Sequence, residues 1–172
     1  MNLPAKAVAD ILQFSDTQAA PTGGKLGIFG GDAGEQRVGA IEILEGVIRD
    51  DGSLRIAVPT LALCYVQAGE RERAAGLLKD DTLAAAEADS EMAYRLATYF
   101  AVEGDSSEAL HWLRRAIYLG NENYPWFQKN PAWNNLRTNG DFERLLEDLK
   151  RGFRKNQKTW KRLLGQVPPE GE

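Results

Sequence analysis

Apolar residues occupy equivalent positions in two successive stretches of the chain that are offset by 35 residues. The equivalent pairs are Leu61 and Leu96, Ala62 and Ala97, Tyr65 and Phe100, Gly69 and Gly104, Ala74 and Ala109, and Leu78 and Leu113. On either side of each glycine the apolar residues recur at helical spacing. A repeat of this length predicts helical hairpins that stack side by side, because one hairpin alone cannot bury its apolar face.

The same pattern predicts where the helices of the repeats begin and end. A helix is expected from Glu35 to Asp50, and the next either begins near Val58 with Pro59 in its first turn or is kinked at that proline. A returning helix is predicted over 71–79, ended by Asp80 and Asp81, with the alanine-rich 82–88 continuing or capping it. In the second hairpin, Ser90 is predicted to cap a helix over 91–103, and the returning helix covers 107–119.

The two ends of the chain depart from the repeat. Pro4 suits the first turn of a short helix ending near Phe14, and the glycines over 15–33 favour a loop with a short extended piece over 25–29. After Gly120 the aromatic and proline residues lose helical spacing, so an irregular segment is predicted over 124–133. A last helix is expected from Asp141.

The paired residues resemble the tetratricopeptide repeat family. The residues at the family's characteristic positions are Leu61, Ala62, Tyr65, Gly69, Ala74 and Leu78 in one repeat, and Leu96, Ala97, Phe100, Gly104, Ala109, Leu113 and Ala116 in the next. The chain departs from the family at its early tryptophan, which is Val58 in one repeat and Ala93 in the other. The segment from Asn123 to Leu146 resembles the closing segment of many bacterial proteins of this family.

The resemblance implies an all-α fold, a right-handed superhelical stack of antiparallel helical hairpins. Together with the patterns at the two ends, it predicts a division of the chain into four parts. These are a short helix and glycine-rich loop over 1–33, repeats over 34–120, an aromatic capping segment and basic helix over 121–164, and a frayed tail over 165–172.

Charge is unevenly distributed along the chain. Residues 1–148 hold 14 Lys/Arg and 23 Asp/Glu, a net of −9, whereas residues 149–172 hold 7 Lys/Arg and 2 Glu, a net of +5. No run of about 18 apolar residues predicts a membrane span. The N-terminus lacks a secretion-signal pattern and Cys64 is the only cysteine, so a cytoplasmic location is expected.

The glycine-rich stretch 23–31 looks like the entry to a phosphate-binding P-loop, which would make the chain a nucleotide binder. A working P-loop then needs Gly-Lys-Ser/Thr, because the lysine meets phosphate and the hydroxyl meets Mg²⁺. The aligned positions hold Glu35, Gln36 and Arg37 instead. A flexible loop is therefore favoured, and neither a nucleotide nor any other cofactor is expected.

No residue pattern predicts a catalytic or metal site. His111 is the only histidine and is expected to be exposed on a returning helix, while Cys64 is expected to be a small buried side chain. The carboxylates are scattered over helix faces, and no pair is marked as acid and base. The chain is therefore predicted not to be an enzyme.

In the tetratricopeptide family the first helix of each repeat lines a concave groove. By family position the groove residues here are Leu63, Val66, Gln67, Glu91, Tyr94, Thr98 and Val102. This set lacks the Lys/Asn pattern that clamps a C-terminal carboxylate in chaperone-binding relatives. The resemblance therefore implies a scaffold whose groove takes an apolar or amphipathic segment of another protein.

The last helix carries a second candidate surface. Its cations are Lys150, Arg151, Arg154, Lys155, Lys158, Lys161 and Arg162. Either Phe153 and Trp160 pack on the last hairpin while the cations face water, or the helix contacts an acidic protein, nucleic acid or an anionic membrane. Self-association with the acidic body is one form of the protein contact.

Overall fold

The computed structural model describes residues 33–50 and 54–164, and every element among them is helical. The elements are α1 (Ala33–Asp50), α2 (Ala57–Gln67), α3 (Arg71–Leu77), α4 (Asp80–Ala86), α5 (Ser90–Glu103), α6 (Ser106–Tyr118), α7 (Tyr124–Lys129), a 3-10 helix (Pro131–Leu136) and α8 (Gly140–Leu164). The all-α class is thereby confirmed for these residues. None of the described helices is both long and apolar enough to cross a bilayer.

Some of the predictions concern residues that lie outside the described ranges. They are the short helix ending near Phe14, the glycine-rich loop over 15–33 with its extended piece (except for Ala33, which begins α1), the P-loop-like stretch 23–31 and the frayed tail 165–172. The helix predicted from Glu35 to Asp50 is present as α1.

Pro59 lies in the first turn of α2, which begins at Ala57, so the first of the two alternatives for this helix is correct. Proline is tolerated there because the first backbone N–H groups of a helix have no carbonyl partner within it. The ring is buried together with almost the whole of α2. The proline therefore helps to begin the helix and does not kink it.

The returning helix predicted over 71–79 is present as α3 but ends two residues earlier, and Asp80 and Asp81 do not end it. The helix ends at Leu77, Lys79 is extended at φ −84° and ψ 168°, and the two aspartates begin α4. Carboxylates are favourable in the first turn of a helix, where the dipole is positive. The buried Thr82 hydroxyl donates to the carbonyl of Leu77 at 3.4 Å, which gives the end of α3 a partner.

The start of α5 is also displaced from its prediction. Asp89, not Ser90, is the N-cap, since its carboxylate accepts hydrogen bonds from the backbone N–H groups of Glu91 and Met92 at 2.9 Å each. Asp89 has the extended backbone of a capping residue, at φ −126° and ψ 116°. Sequence alone could not choose between two adjacent residues that are both good caps.

The two hairpins of the repeat end their first helices in the same way. Gly69 and Gly104 both have left-handed backbone, at φ 84° and φ 90°. The N–H after each glycine donates to a carbonyl five residues back, from Glu70 to Tyr65 at 2.8 Å and from Asp105 to Phe100 at 2.9 Å. This pairing is the Schellman motif, which satisfies carbonyls that the helix leaves open. The 35-residue repeat in sequence is thus a repeat in backbone geometry.

Gly104→Ala should lower the free energy of unfolding by about 1–2 kcal/mol, because an L side chain is strained at a left-handed φ. The space around the glycine is open, so the loss would come from the backbone alone. Gly46→Ala within α1 is the matched control and should raise stability by up to about 1 kcal/mol. Urea unfolding of both variants would measure the difference. Equal effects at the two positions would contradict the argument.

The first helices α2 and α5 pack side by side, and each also packs against its own returning helix, α3 and α6. The small residues at equivalent positions, Ala62, Ala74, Ala97 and Ala109, are fully buried, as close packing of helices requires. Phe100 lies partly buried between two hydrophobic clusters, one centred on α2 and the other on α5. Phe100, the large apolar residue one turn after Ala97, therefore joins one hairpin to the next.

The aromatic segment after Gly120 is helical, so the prediction of an irregular stretch over 124–133 is wrong. Pro125 lies in the first turn of α7 and Pro131 in that of the 3-10 helix, and asparagines cap both elements. Phe127 and Trp133 are fully buried against α5 and α6. This segment closes one end of the hydrophobic core, and α8 packs beside it through Phe142 and Leu149.

Candidate interaction surfaces

The seven predicted groove residues lie on α2 and α5, the two first helices of the hairpins. Four of them are buried, namely Leu63, Val66, Tyr94 and Thr98. Gln67, Glu91 and Val102 are half-buried. The structure therefore places the set on adjacent helices, with its accessible part at the ends of those helices.

Tyr94 makes polar contacts that connect α5 to the aromatic segment. Its hydroxyl accepts hydrogen bonds from Trp126 Nε1 at 2.8 Å and from Asn130 Nδ2 at 2.5 Å. Its ring is stacked on Phe127, with 5.3 Å between the ring centroids. Tyr94 therefore positions the closing segment, a role that the repeat pattern did not suggest.

Arg95 is a buried cation that belongs to neither of the two surfaces predicted from the sequence. Its side chain is only about one-twentieth exposed, and its Nη2 donates to Glu91 Oε1 at 2.9 Å, one turn earlier on α5. The sequence does hold a signal, since Arg95 is the only charged residue between 92 and 102. A charge in an otherwise apolar helix is buried only with a partner, and Glu91 is one partner here.

A polar cluster ties together α1, α2 and α3. The hydroxyl of Tyr65 donates to the Glu45 carboxylate, and Arg73 Nη2 donates both to that carboxylate at 2.7 Å and to the hydroxyl at 2.6 Å. Glu70 accepts from Arg73 Nη1 at 2.5 Å. The cluster joins three successive helices through charge-assisted hydrogen bonds.

The titration behaviour of this cluster follows from those contacts. The hydrogen bond from Tyr65 holds the pKa of Glu45 below its ordinary value, with a smaller contribution from Arg73. Burial, followed by the hydrogen bond to Glu45, raises the pKa of Tyr65 to about 12. At neutral pH the carboxylate is therefore ionised and the phenol protonated, which is the arrangement of a structural contact and not of a reactive phenolate.

His111 and Cys64 lie where the sequence predicted. His111 is exposed on α6, with its Nε2 3.8 Å from a Glu87 oxygen. Cys64 is buried within α2, and burial raises the pKa of its thiol to about 12, which disfavours the thiolate form. Among the described residues, no group of three or more histidine, cysteine, aspartate and glutamate side chains is arranged to hold a metal ion.

A small cleft opens between the start of α2 and α4. It has a volume of about 130 Å³ and is lined by Arg55, Val58, Asp81, Thr82 and Met92. Sites for small organic molecules usually measure about 300–1,000 Å³. The cleft suits a few water molecules better than a substrate.

The seven cations of the predicted basic helix all lie on α8. The packing predicted for its two aromatic residues holds for Phe153 and not for Trp160. Phe153 is half-buried beside Tyr124, with 5.9 Å between the ring centroids, whereas Trp160 is 62% exposed.

Comparisons with family models, curated proteins and solved structures found no match for this chain.

Proposed function

We propose that this chain is a tetratricopeptide-repeat-like module that binds another protein and has no catalytic activity. The observation that carries the proposal is the equivalence of its two hairpins. Both first helices end in a Schellman motif at a left-handed glycine, and both hairpins bury alanines at equivalent positions. Repetition of one packing unit produces an extended surface, and such surfaces serve binding more often than catalysis.

The proposed arrangement is a right-handed superhelical stack. In it α1 is the second helix of a first hairpin, followed by the α2/α3 and α5/α6 hairpins, and the aromatic segment with α8 is the closing cap. Support comes from the order of the helix contacts, in which α2 lies beside α1 and α5, and α5 lies beside the 3-10 helix. Sequential contacts of this kind are typical of repeat proteins, since each unit touches only its neighbours.

The proposed binding face is the one shared by α2 and α5, where the predicted groove residues lie. Its accessible side chains are Gln67, Glu91 and Val102, a mixture of apolar and polar groups. An amphipathic or extended apolar segment suits such a mixture, because it buries an apolar side and keeps polar atoms hydrated. The proposed partner is therefore a protein segment and not a small molecule.

Site-specific crosslinking tests this proposal. A photo-reactive amino acid would replace Val102 in the full chain expressed in its native cells, and Glu108, exposed on α6, would be the control position. We expect a defined protein adduct from position 102 that is absent from position 108. An excess of wild-type chain without the photo-reactive residue should compete for the partner and reduce this adduct. The same excess of Val102→Glu chain should reduce it less, because a carboxylate opposes apolar burial.

The pattern of adducts decides the outcome. The same adducts in equal yield from both positions would contradict a binding face on α2 and α5. No protein adduct from position 102 would contradict the proposed function itself.

A further inference from the structure

The two halves of α8 differ in what covers them. In the first half, Phe142 and Leu149 are buried and Leu145 and Leu146 are partly buried against the core. Beyond Phe153 every residue up to Leu164 is exposed. The eleven residues 154–164 span about 16 Å at the rise of an α-helix, and the rest of the described chain leaves them uncovered.

The uncovered half keeps the apolar stripe of the covered half. Trp160, Leu163 and Leu164 lie three and four residues apart, on the helix face that Phe153 and Leu149 occupy further back. Their exposed fractions are 62%, 45% and 65%. Large apolar side chains that continue a stripe into solvent are a binding feature, since scattered surface residues do not align in this way.

The opposite side of the same half is strongly basic. Between 150 and 164 the helix has seven cations and no carboxylate. Lys150 and Arg151 pair with Glu147 and Asp148 one turn earlier. The other five are Arg154, Lys155, Lys158, Lys161 and Arg162, and no carboxylate of the described chain lies within 4.0 Å of them. At about 100° per residue they all point about 100° or more away from Trp160.

We infer that residues 154–164 bind the surface of an anionic lipid bilayer. Trp160, Leu163 and Leu164 would lie in the boundary between headgroups and acyl chains, while the lysine and arginine stems reach up to the lipid phosphates. Indole is well suited to that boundary, because its ring is apolar and its N–H is polar. One occupant thus accounts for both sides of the helix.

Nucleic acid and a second copy of this helix each account for only one side. Nucleic acid would pair with the cations, but its phosphates would leave the apolar stripe in water. A second copy of this helix would bring seven cations against seven, and three side chains supply far less than the roughly 800 Å² per partner that a stable interface buries. A bilayer needs no shape complementarity and provides negative charge along the whole length of the helix.

The uneven charge of the chain determines which part of it would face the bilayer. Residues 1–148 have a net charge of −9, so an anionic surface repels the body while it attracts α8. The helix would therefore be the point of attachment, and the face shared by α2 and α5 would remain available to a partner.

Vesicle sedimentation with the full chain tests this inference. We expect at least tenfold tighter binding to vesicles containing about a third phosphatidylserine than to phosphatidylcholine alone. Raising the salt from about 0.1 M to about 1 M should weaken the binding strongly, because the screening length shortens from about 10 Å to about 3 Å. Bound protein should also show blue-shifted tryptophan fluorescence, since Trp160 is the most exposed of the indoles in the described chain.

Three variants separate lipid from the other occupants. The double variant Leu163→Gln with Leu164→Gln keeps every charge and should lose at least tenfold in vesicle binding. The triple variant Lys158→Gln, Lys161→Gln and Arg162→Gln should lose a similar factor. Tyr118→Gln, a change at an exposed aromatic residue on α6, should bind as the wild type does. Circular dichroism would verify that all three retain the helical fold.

Some results would overturn the inference. Vesicle binding equal for anionic and neutral lipid, or unchanged in the Leu163/Leu164 variant, would exclude the proposed geometry. If the chain binds duplex DNA and does not bind anionic vesicles, the basic side is assigned to nucleic acid instead.

Discussion

Replacing Trp133 with alanine is expected to lower the free energy of unfolding by about 3–5 kcal/mol, because a large aromatic side chain would be lost from a closely packed core. The indole is fully buried at the closing end of that core. It makes edge contacts with Tyr94 and Phe127 and a tilted contact with Phe142, at centroid distances of 5.8, 6.5 and 6.0 Å. Alanine would leave a cavity among three elements at once, and urea unfolding followed by circular dichroism would measure the loss.

Two further variants make this prediction specific. Trp160→Ala is the same chemical change at an exposed position and should alter stability by no more than about 0.5 kcal/mol. Trp133→Phe should cost less than about 1.5 kcal/mol, because it keeps most of the ring. It also removes a buried N–H that has no acceptor among the described residues. A loss at position 133 no larger than at position 160 would refute the role of the aromatic segment in closing the core.

Asn130→Ala is expected to lower the free energy of unfolding by about 2–3 kcal/mol. Asn130 is buried between α7 and the 3-10 helix. Its Oδ1 accepts from the Ala132 backbone N–H at 2.9 Å, and its Nδ2 donates to the Tyr94 hydroxyl at 2.5 Å. Alanine would remove the side chain that caps the 3-10 helix. It would also remove a hydrogen-bond donor to the buried hydroxyl of Tyr94. Thermal and urea unfolding would measure the change.

Asn134→Ala within the same 3-10 helix is the matched control. Its side chain is exposed and accepts only from Arg137 Nε at 3.1 Å among the described residues. The expected change is within about 0.5 kcal/mol. Similar losses at 130 and 134 would mean that the buried hydrogen bonds of Asn130 contribute nothing specific.

The closing segment connects these stability predictions to the proposed function. Through Tyr94 it is joined to α5, one of the two helices of the proposed binding face. A repeat stack needs a stable end, because its last unit has no neighbour to cover it. Disruption at Trp133 or Asn130 should therefore weaken partner binding indirectly, and these two positions are unsuitable for mapping the partner contact.

Local features of this protein could be predicted from sequence where a short stretch of chain decides them. The glycines at 69 and 104 favour the end of a helix, because glycine adopts the left-handed backbone of a helix C-terminus without strain. Small and large apolar residues at a fixed period likewise indicate which positions of a hairpin are buried. The predictions fail where local signals compete, as at Asp80 and Asp81, which suit both the region after one helix and the first turn of the next.

The surfaces depend on contacts between residues far apart in the chain, so sequence could assign them only by resemblance. Nothing near Tyr94 indicates that Trp126 and Asn130, more than thirty residues later, reach its hydroxyl. The sequence of α8 has apolar residues at the same helical spacing before and after Phe153, yet the core covers only those before it. By itself the sequence determined that the two repeats are helical and that their first helices end in equivalent turns, since helices and turns arise from neighbouring residues. Only the tertiary structure decided which apolar faces are buried and which remain exposed, because burial depends on where the rest of the chain has packed.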